Sequence, residues 1–290
     1  MRRLAARAAS AARAAELWPL SRGVATSAAA LRGAAPPLDP PAWWYPAARA
    51  ARRRIILHVG PPNSGKTHAA LAALVAANSG TYCAPLRLLA WEAAERVSAA
   101  GTPCSLLTGQ ERRTVAGAQH VACTVEMADL SQPVDVAVID EVQLLCDARR
   151  GWAFTRALLG VPARELHLCG DPAAEHLVSC IAADAGEVVE VVRYARLLPL
   201  VAAKAPLAEL RDVRGGDALV AFSRREVHAL RAAVEQDSAE RCCILYGGLP
   251  PAVRASQATQ FNAPRSGCVV RLPGPRHLPQ QRHAVKILQS

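Results

Sequence analysis

Gly60, Pro61, Pro62, Asn63, Ser64, Gly65, Lys66 and Thr67 read GPPNSGKT, a turn framed by two glycines and closed by a lysine and a hydroxyl. That spacing suits a chain of phosphates. Gly60 and Gly65 let backbone N–H groups point inward, Lys66 reaches the β and γ oxygens, and Thr67 offers its hydroxyl to Mg²⁺. An apolar run, IILHV, leads into the loop and an amphipathic stretch begins at Lys66, which is the strand-to-helix setting the motif requires. The eight residues are predicted to bind the phosphates of a nucleoside triphosphate.

A second group ends the run VAVIDE at residues 136–141. A buried parallel strand finishing on two carboxylates can place Asp140 to hold Mg²⁺ through water and Glu141 to orient or deprotonate an attacking water. An acidic pair at a strand end can also do no more than cap a following helix. Its position in the same α/β pattern as the phosphate loop favours the catalytic reading.

These groups need a scaffold that brings distant strand ends together. From Arg54 onward, short apolar runs alternate with helical stretches, the pattern of a parallel sheet with crossover helices. Strands are predicted at 55–59, 81–84, 121–124, 134–139 and 166–169, and helices at 66–77, 86–100 and 149–159. A second alternation follows, with strands at 218–222 and 242–245 and helices at 224–235 and 251–262. The reading is a doubly wound α/β domain followed by a second of the same kind, only begun. After Pro264 the pattern dissolves into a basic, Pro-broken segment expected to be disordered.

The chain has 290 residues, 51% of them apolar, enough for a sizeable core. Arg, Gly and Pro interrupt every alanine-rich run, so no membrane insertion is expected. The net charge of +10 is misleading: +8 of it lies in residues 1–54 and +5 in 264–290, leaving 55–263 at −3. Basicity is therefore no argument for nucleic acid. The opening MRRLAARAASAARAA, rich in Arg and free of acids before Glu16, has the composition of a mitochondrial transit peptide, with a basic arm as the alternative. Residues 33–49 contain five prolines up to position 46 and read as an extended linker, with Trp43, Trp44 and Tyr45 pinning its end to the core or else stacking on a base. Nine cysteines without CxxC spacing argue against a disulfide framework and a zinc site, leaving most as buried apolar residues.

DEVQ at 140–143, APLRLLA at 84–90, LLTGQER at 106–112, TVEM at 124–127 and LCGDPA at 168–173 closely resemble the mitochondrial RNA-degradosome helicases. These are ATP-dependent superfamily 2 RNA helicases of the DExH/D class. The resemblance runs over residues 50–263, continuing through GDALVAFSRREV at 216–227 and LYGGLPPAVR at 245–254. It implies a P-loop NTPase with a first RecA-like domain at 50–195 and a partial second one at 196–263, preceded by a transit peptide at 1–32 and followed by a divergent tail at 264–290. It also implies ATP and Mg²⁺ as cofactors, RNA as partner and the mitochondrial matrix as location. Gln143 joins Lys66, Asp140 and Glu141 as catalytic, Arg87, Thr108 and Thr124 grip the RNA backbone, and Asp171 couples hydrolysis to RNA binding. Ser223 and Arg224 begin the second domain's contact surface. Without the resemblance, each of the three RNA positions reads equally well as an ordinary cap or turn residue.

The sequence also departs from that pattern. No QRxGRxGR helix follows the LYG motif, and Arg271, Arg276 and Arg282 do not stand in its spacing, so the arginine-finger role is not carried over. An arginine finger contributes roughly 10³ to 10⁵ in rate to related phosphoryl transfers, so weak hydrolysis by a truncated chain is expected. Docking of the family's exoribonuclease is doubtful for the same reason. Two other functions fit: a nucleotide- and RNA-binding module without unwinding, and a nucleoside kinase of the thymidine-kinase type, which shares a GPxxSGKT loop and an IDExQ strand. The kinase normally carries a zinc lasso with paired cysteines, which this sequence lacks.

Overall fold

The computed structural model describes residues 41–197, 199, 201, 207, 209–238, 240–262, 267–271 and 285–287. The expected transit peptide and the first part of the expected linker lie outside the described residues. The later part of that linker does not behave as one. A 3₁₀ turn at Pro41–Trp44 and helix α1 (Pro46–Ala50) bury Ala42 and Ala48. Arg49 and Arg53 extend from this entry to donate to the carbonyls of Leu158, Leu159 and Val161. Those carbonyls end a later helix and have no partners within it, so the arginines act as its C-terminal caps. Of the three aromatics expected to pin the segment, Tyr45 does so, lying where a Cβ on Gly160 would meet its ring at 2.7 Å. Trp43 and Trp44 are 65% and 59% exposed.

The first sheet is built from β1 (Arg54–Val59), α2 (Lys66–Ala76), β2 (Gly80–Ala84), α3 (Arg87–Ala99), β3 (Cys104–Leu107), β4 (Arg112–Arg113), β5 (His120–Thr124), β6 (Val134–Asp140), α4 (Gly151–Gly160), β7 (Ala163–Gly170), α5 (Glu175–Asp184) and β8 (Val189–Arg193). Its spatial order is β4-β3-β5-β2-β6-β7-β1-β8. Every pairing is parallel except β3 with β4. The register lines up the strand ends: Val59 faces Gly170, Asp140 faces Cys169, Ala84 faces Thr124 and Leu107 faces Cys123. Six loops, after β1, β7, β6, β2, β5 and β3, therefore emerge along one edge, where doubly wound sheets hold their ligands.

Helices cover both faces. α2 and α3 bury Ala70, Leu71, Leu74, Ala90, Ala93, Ala94 and Val97 against one face. The α3 set falls at i, i+3, i+4 and i+7, the spacing of a helical stripe, and alanine keeps the helix close to the strands. On the other face Phe154 and Leu158 of α4 and Val178 of α5 pack on Ile55, Leu57 and Leu166. Arg53 and Glu187 form an ion pair at 2.6 Å beside this core, with the Arg53 side chain fully buried.

A second sheet contains β9 (Ala218–Val220), α6 (Arg224–Asp237), β10 (Cys242–Leu245), α7 (Pro251–Asn262), β11 (Cys268–Arg271) and β12 (Val285–Ile287), in the order β10-β11-β9-β12 with all strands parallel. Ser223 caps α6 by accepting from the Glu226 N–H, while the Glu226 carboxylate accepts from the Ser223 N–H. Of the tail from 264 expected to be disordered, only residues 267–271 and 285–287 are described, and both stretches contain strands of this sheet. Residues 268–271 form a strand between β10 and β9, because their short apolar run finds hydrogen-bonding partners on both sides. The argument against disulfides is corrected, since Cys242 and Cys268 are bonded, their Cα atoms 4.9 Å apart as direct neighbours on β10 and β11. Pairing across strands brings together cysteines that their sequence spacing does not. Cys83, Cys104, Cys123, Cys169 and Cys243 are free and buried, as expected. Among the described residues, no helix is long and apolar enough to cross a membrane.

Candidate active site

Residues 60–65 link β1 to α2 through a loop whose backbone demands special conformations. Gly65 lies at φ +87° and Asn63 at φ +57°, in the left-handed region. Gly60 is in tight contact with Tyr194, whose carbonyl oxygen a Cβ would approach to 2.8 Å. The loop delivers the chain to α2 with no side chain capping its first turn, so the open N–H groups of the helix face the loop. Lys66 is buried, and its Nζ donates to the Pro61 carbonyl at 3.2 Å, curling over the loop. Ser64 Oγ is buried with no hydrogen-bond partner. An orphaned hydroxyl, an open helix start and a lysine around one loop are the donor set a phosphate chain requires. Tyr194 also donates its N–H to the Val59 carbonyl, and Leu197 donates to Asn63, so the segment after β8 lies across the loop.

Two strands away, β6 ends on Asp140, which is 2% exposed. Its Oδ1 accepts from the Glu141 N–H at 3.0 Å and from Thr67 Oγ1 at 3.3 Å, while Oδ2 accepts from the Tyr82 hydroxyl at 2.6 Å. Burial first, and the Asp140 carboxylate second, push the Tyr82 phenol well above its usual range. Thr67 and Asp140 are hard oxygen donors adjoining a phosphate loop, the set Mg²⁺ prefers when nucleotide oxygens and water complete its octahedron. The residues thus fit Mg²⁺, and no cluster of three or more metal-ligating side chains is found among the described residues.

Glu141 follows at φ +57°, a conformation costly for a residue with a Cβ and typical of sites where geometry outweighs local comfort. Its carboxylate accepts from Gln143 Nε2. Gln143 Oε1 in turn accepts from the Asp171 N–H at 3.1 Å, and Asp171 Oδ1 accepts from Ala173 N at 3.0 Å. Glutamine, with donor and acceptor on one amide, is the residue that joins a carboxylate to an N–H. Gly60, Pro62, Lys66, Glu141, Gln143, Leu144, Asp171 and Ala173 line one cleft of about 460 Å³.

Behind the loop, His58 Nδ1 meets the Tyr194 hydroxyl at 2.8 Å and its Nε2 meets His167 Nδ1 at 2.9 Å, with the imidazoles stacked. Burial, then His167, pushes His58 down to about 4.

The other half of the edge carries the three positions expected to grip RNA. Arg87 opens α3 beside Gly109. Thr124 is buried at the end of β5. Thr108 is also buried, and its hydroxyl is engaged in its own turn, accepting from the N–H groups of Gln110 and Glu111 and donating to the Glu111 carbonyl. It is a turn former, with both its hydroxyl and its own N–H, which donates to the Glu111 carbonyl at 2.8 Å, engaged within the turn. Pro251, Arg254 and Ala255 of α7 join Arg87, Leu88, Trp91, Thr108 and Glu111 around a small cleft. Ser223 is the α6 cap and Arg224 lies over the Tyr246 ring. Tyr82 was not anticipated, because in the strand GTYCA it reads as one more packing residue.

Residues 41–194 match the family model described as the DEXQ-box helicase domain of Suv3. The chain is 52% identical over 208 residues to the Arabidopsis thaliana DExH-box ATP-dependent RNA helicase DExH16, mitochondrial, covering 72% of this chain and 36% of that protein. It is 47% identical over 220 residues to human ATP-dependent RNA helicase SUPV3L1, mitochondrial, covering 74% and 28%. The chain thus spans about a third of the length of the relatives it matches. Saccharomyces cerevisiae Dbp5 bound to RNA and ADP BeF3 shares the fold at a TM-score of 0.54 and 16% identity, over 76% of this chain and 66% of that one. These matches leave the nucleoside-kinase alternative without support. The match over more than half of the chain, on the same phosphate loop and DEVQ strand whose geometry is given above, shows that this protein belongs to the Suv3 DEXQ-box helicase family.

Proposed function

We propose that the chain is the motor portion of an ATP-dependent RNA helicase of mitochondrial RNA turnover. The observation that carries this reading is the hydrogen-bonded chain Glu141–Gln143–Asp171, which ties the hydrolytic carboxylate to the turn after β7. Gly60 to Gly65, Lys66 and the start of α2 bind the triphosphate. Thr67 and Asp140 hold Mg²⁺, which when bound neutralises charge on the phosphate oxygens. Glu141 orients the attacking water and accepts its proton. Arg87 takes the RNA phosphates beside the strand ends that carry Thr108 and Thr124, because arginine is a phosphate donor. Lined up on one sheet edge, the two sets let RNA occupancy and hydrolysis bias each other. The relatives' mitochondrial names and the Arg-rich opening segment support a mitochondrial location.

The test is the ATPase of the purified chain with and without single-stranded RNA. Stimulation by RNA, abolished by Lys66→Ala, is the expected result. Turnover indifferent to RNA, with phosphate passed to a nucleoside, would overturn it. A strand-displacement assay on the same preparation separates a motor from a module that only binds.

A further inference from the structure

Tyr82 is a residue of the nucleotide half of the edge to which neither the motifs nor the family match gives a role. It sits in the middle of β2, 3% exposed, among the alanines and aliphatics beneath α2 and α3. Its hydroxyl donates to Asp140 Oδ2 at 2.6 Å, the short distance of a charge-assisted bond. The other oxygen of Asp140 is held by the Glu141 N–H and by Thr67. Rotation about the bond to a carboxylate is soft, with a broad two-fold profile. One oxygen held by a neighbouring backbone N–H leaves that rotation open, and a second anchor from an adjacent strand closes it. The Tyr82 ring is packed on all sides, so its hydroxyl is a rigid anchor.

We infer that Tyr82 is a positioning residue that locks the Asp140 carboxylate in the orientation that receives the nucleotide-bound divalent cation. The inference rests on the proposed P-loop and Asp140 site. A purely structural account would have the buried phenol merely use a convenient acceptor. The two accounts differ in what removal of the hydroxyl changes: outer partners of metal ligands typically alter metal affinity about 10- to 100-fold, whereas a packing role moves only stability.

The experiment uses the full chain and Tyr82→Phe, which keeps the buried ring. Mn²⁺ binding in the presence of ADP is followed by electron paramagnetic resonance, and metal-free affinity for a fluorescent ADP is measured in EDTA. Mn²⁺ affinity is expected to fall about 10-fold with metal-free ADP affinity within about twofold of wild type. Unchanged Mn²⁺ affinity overturns the inference, whatever happens to the melting temperature. If Tyr82→Phe does not fold, Tyr82→Met, of similar reach and without a donor, supplies the same readout. Failure of the wild type to bind ADP in EDTA would instead remove the P-loop reading itself, and this inference with it.

Discussion

Replacing Gln143 with alanine removes two hydrogen bonds at once, its donation to the Glu141 carboxylate and its acceptance from the Asp171 N–H. Glu141 is buried and held at φ +57°, so its carboxylate depends on such partners for direction. A hydrogen bond to a charged group contributes about 1.5–3 kcal/mol, against roughly 0.5–1.5 kcal/mol for the neutral one to Asp171. If the charged bond acts mainly on the orientation of Glu141 in the transition state, its loss converts to about 10- to 100-fold in kcat. KM for ATP should stay within about threefold, because the phosphate donors of residues 60–66 make no bond to Gln143. The neutral bond acts on coupling, so RNA stimulation should shrink as well as basal turnover. Steady-state ATPase at saturating Mg²⁺, with and without poly(U), reads both. Gln143→Glu keeps the acceptor but sets a second carboxylate against Glu141, and should be no better than alanine. A Gln143→Ala chain with kcat and RNA stimulation within twofold of wild type would refute the reasoning.

Other perturbations test other links. Gly60→Ala places a Cβ 2.8 Å from the Tyr194 carbonyl, so the loop or the segment after β8 must move; ATP affinity measured by fluorescent-nucleotide titration should fall at least about 10-fold. Phe154→Ala empties a fully buried site in the α4 face of the core and should cost about 3–5 kcal/mol in chemical denaturation. Glu187→Gln leaves the buried Arg53 guanidinium without its carboxylate and should cost about 3–5 kcal/mol by the same measurement. The His58 imidazole is held down at about 4 by burial and then by His167. Between the ordinary histidine value of about 6.5 and about 4 the unfolded chain takes up a proton that the folded chain refuses. Stability should therefore be full above that window and fall as pH drops through it, and His58→Asn should flatten the dependence of Tm on pH.

The parts of the fold legible in the sequence are those in which local pattern and final environment agree. β1, β2, β5, β6 and β7 are central strands buried on both faces, and such strands read as continuous apolar runs. β8, VEVVR, is an edge strand whose side chains are all partly or fully exposed, and Glu190 on it pairs with Arg54 of β1. A run with a charge at its second position and none of the depth of a core strand carries no clear period. β3 and β11 are four residues each, too short for a period at all. α1 and the 3₁₀ turn before it were hidden by prolines, which mark extended linkers but also start helices well, since an N-terminal N–H has no intrahelical partner to lose.

The candidate site divides along the same physical line. At the phosphate end the chemistry requires particular backbone conformations at fixed offsets, so the glycines, the lysine and the strand-end carboxylates announce themselves in sequence. Glu141 and Asn63 occupy the left-handed region without being glycine, and only the surrounding contacts reveal it. Tyr82 and Asp140 lie 58 residues apart and meet because β2 and β6 are neighbours in register, with Tyr82 opposite Val138 and Asp140 two residues further on the same face. The RNA half is less legible for a different reason. A threonine that closes its own turn, as Thr108 does, and one that offers its hydroxyl to a phosphate are identical in sequence, because the same oxygen serves either purpose. What distinguishes them is the loop's own hydrogen bonding, which here engages both the hydroxyl and the N–H of Thr108 and leaves Arg87 as the proposed phosphate donor.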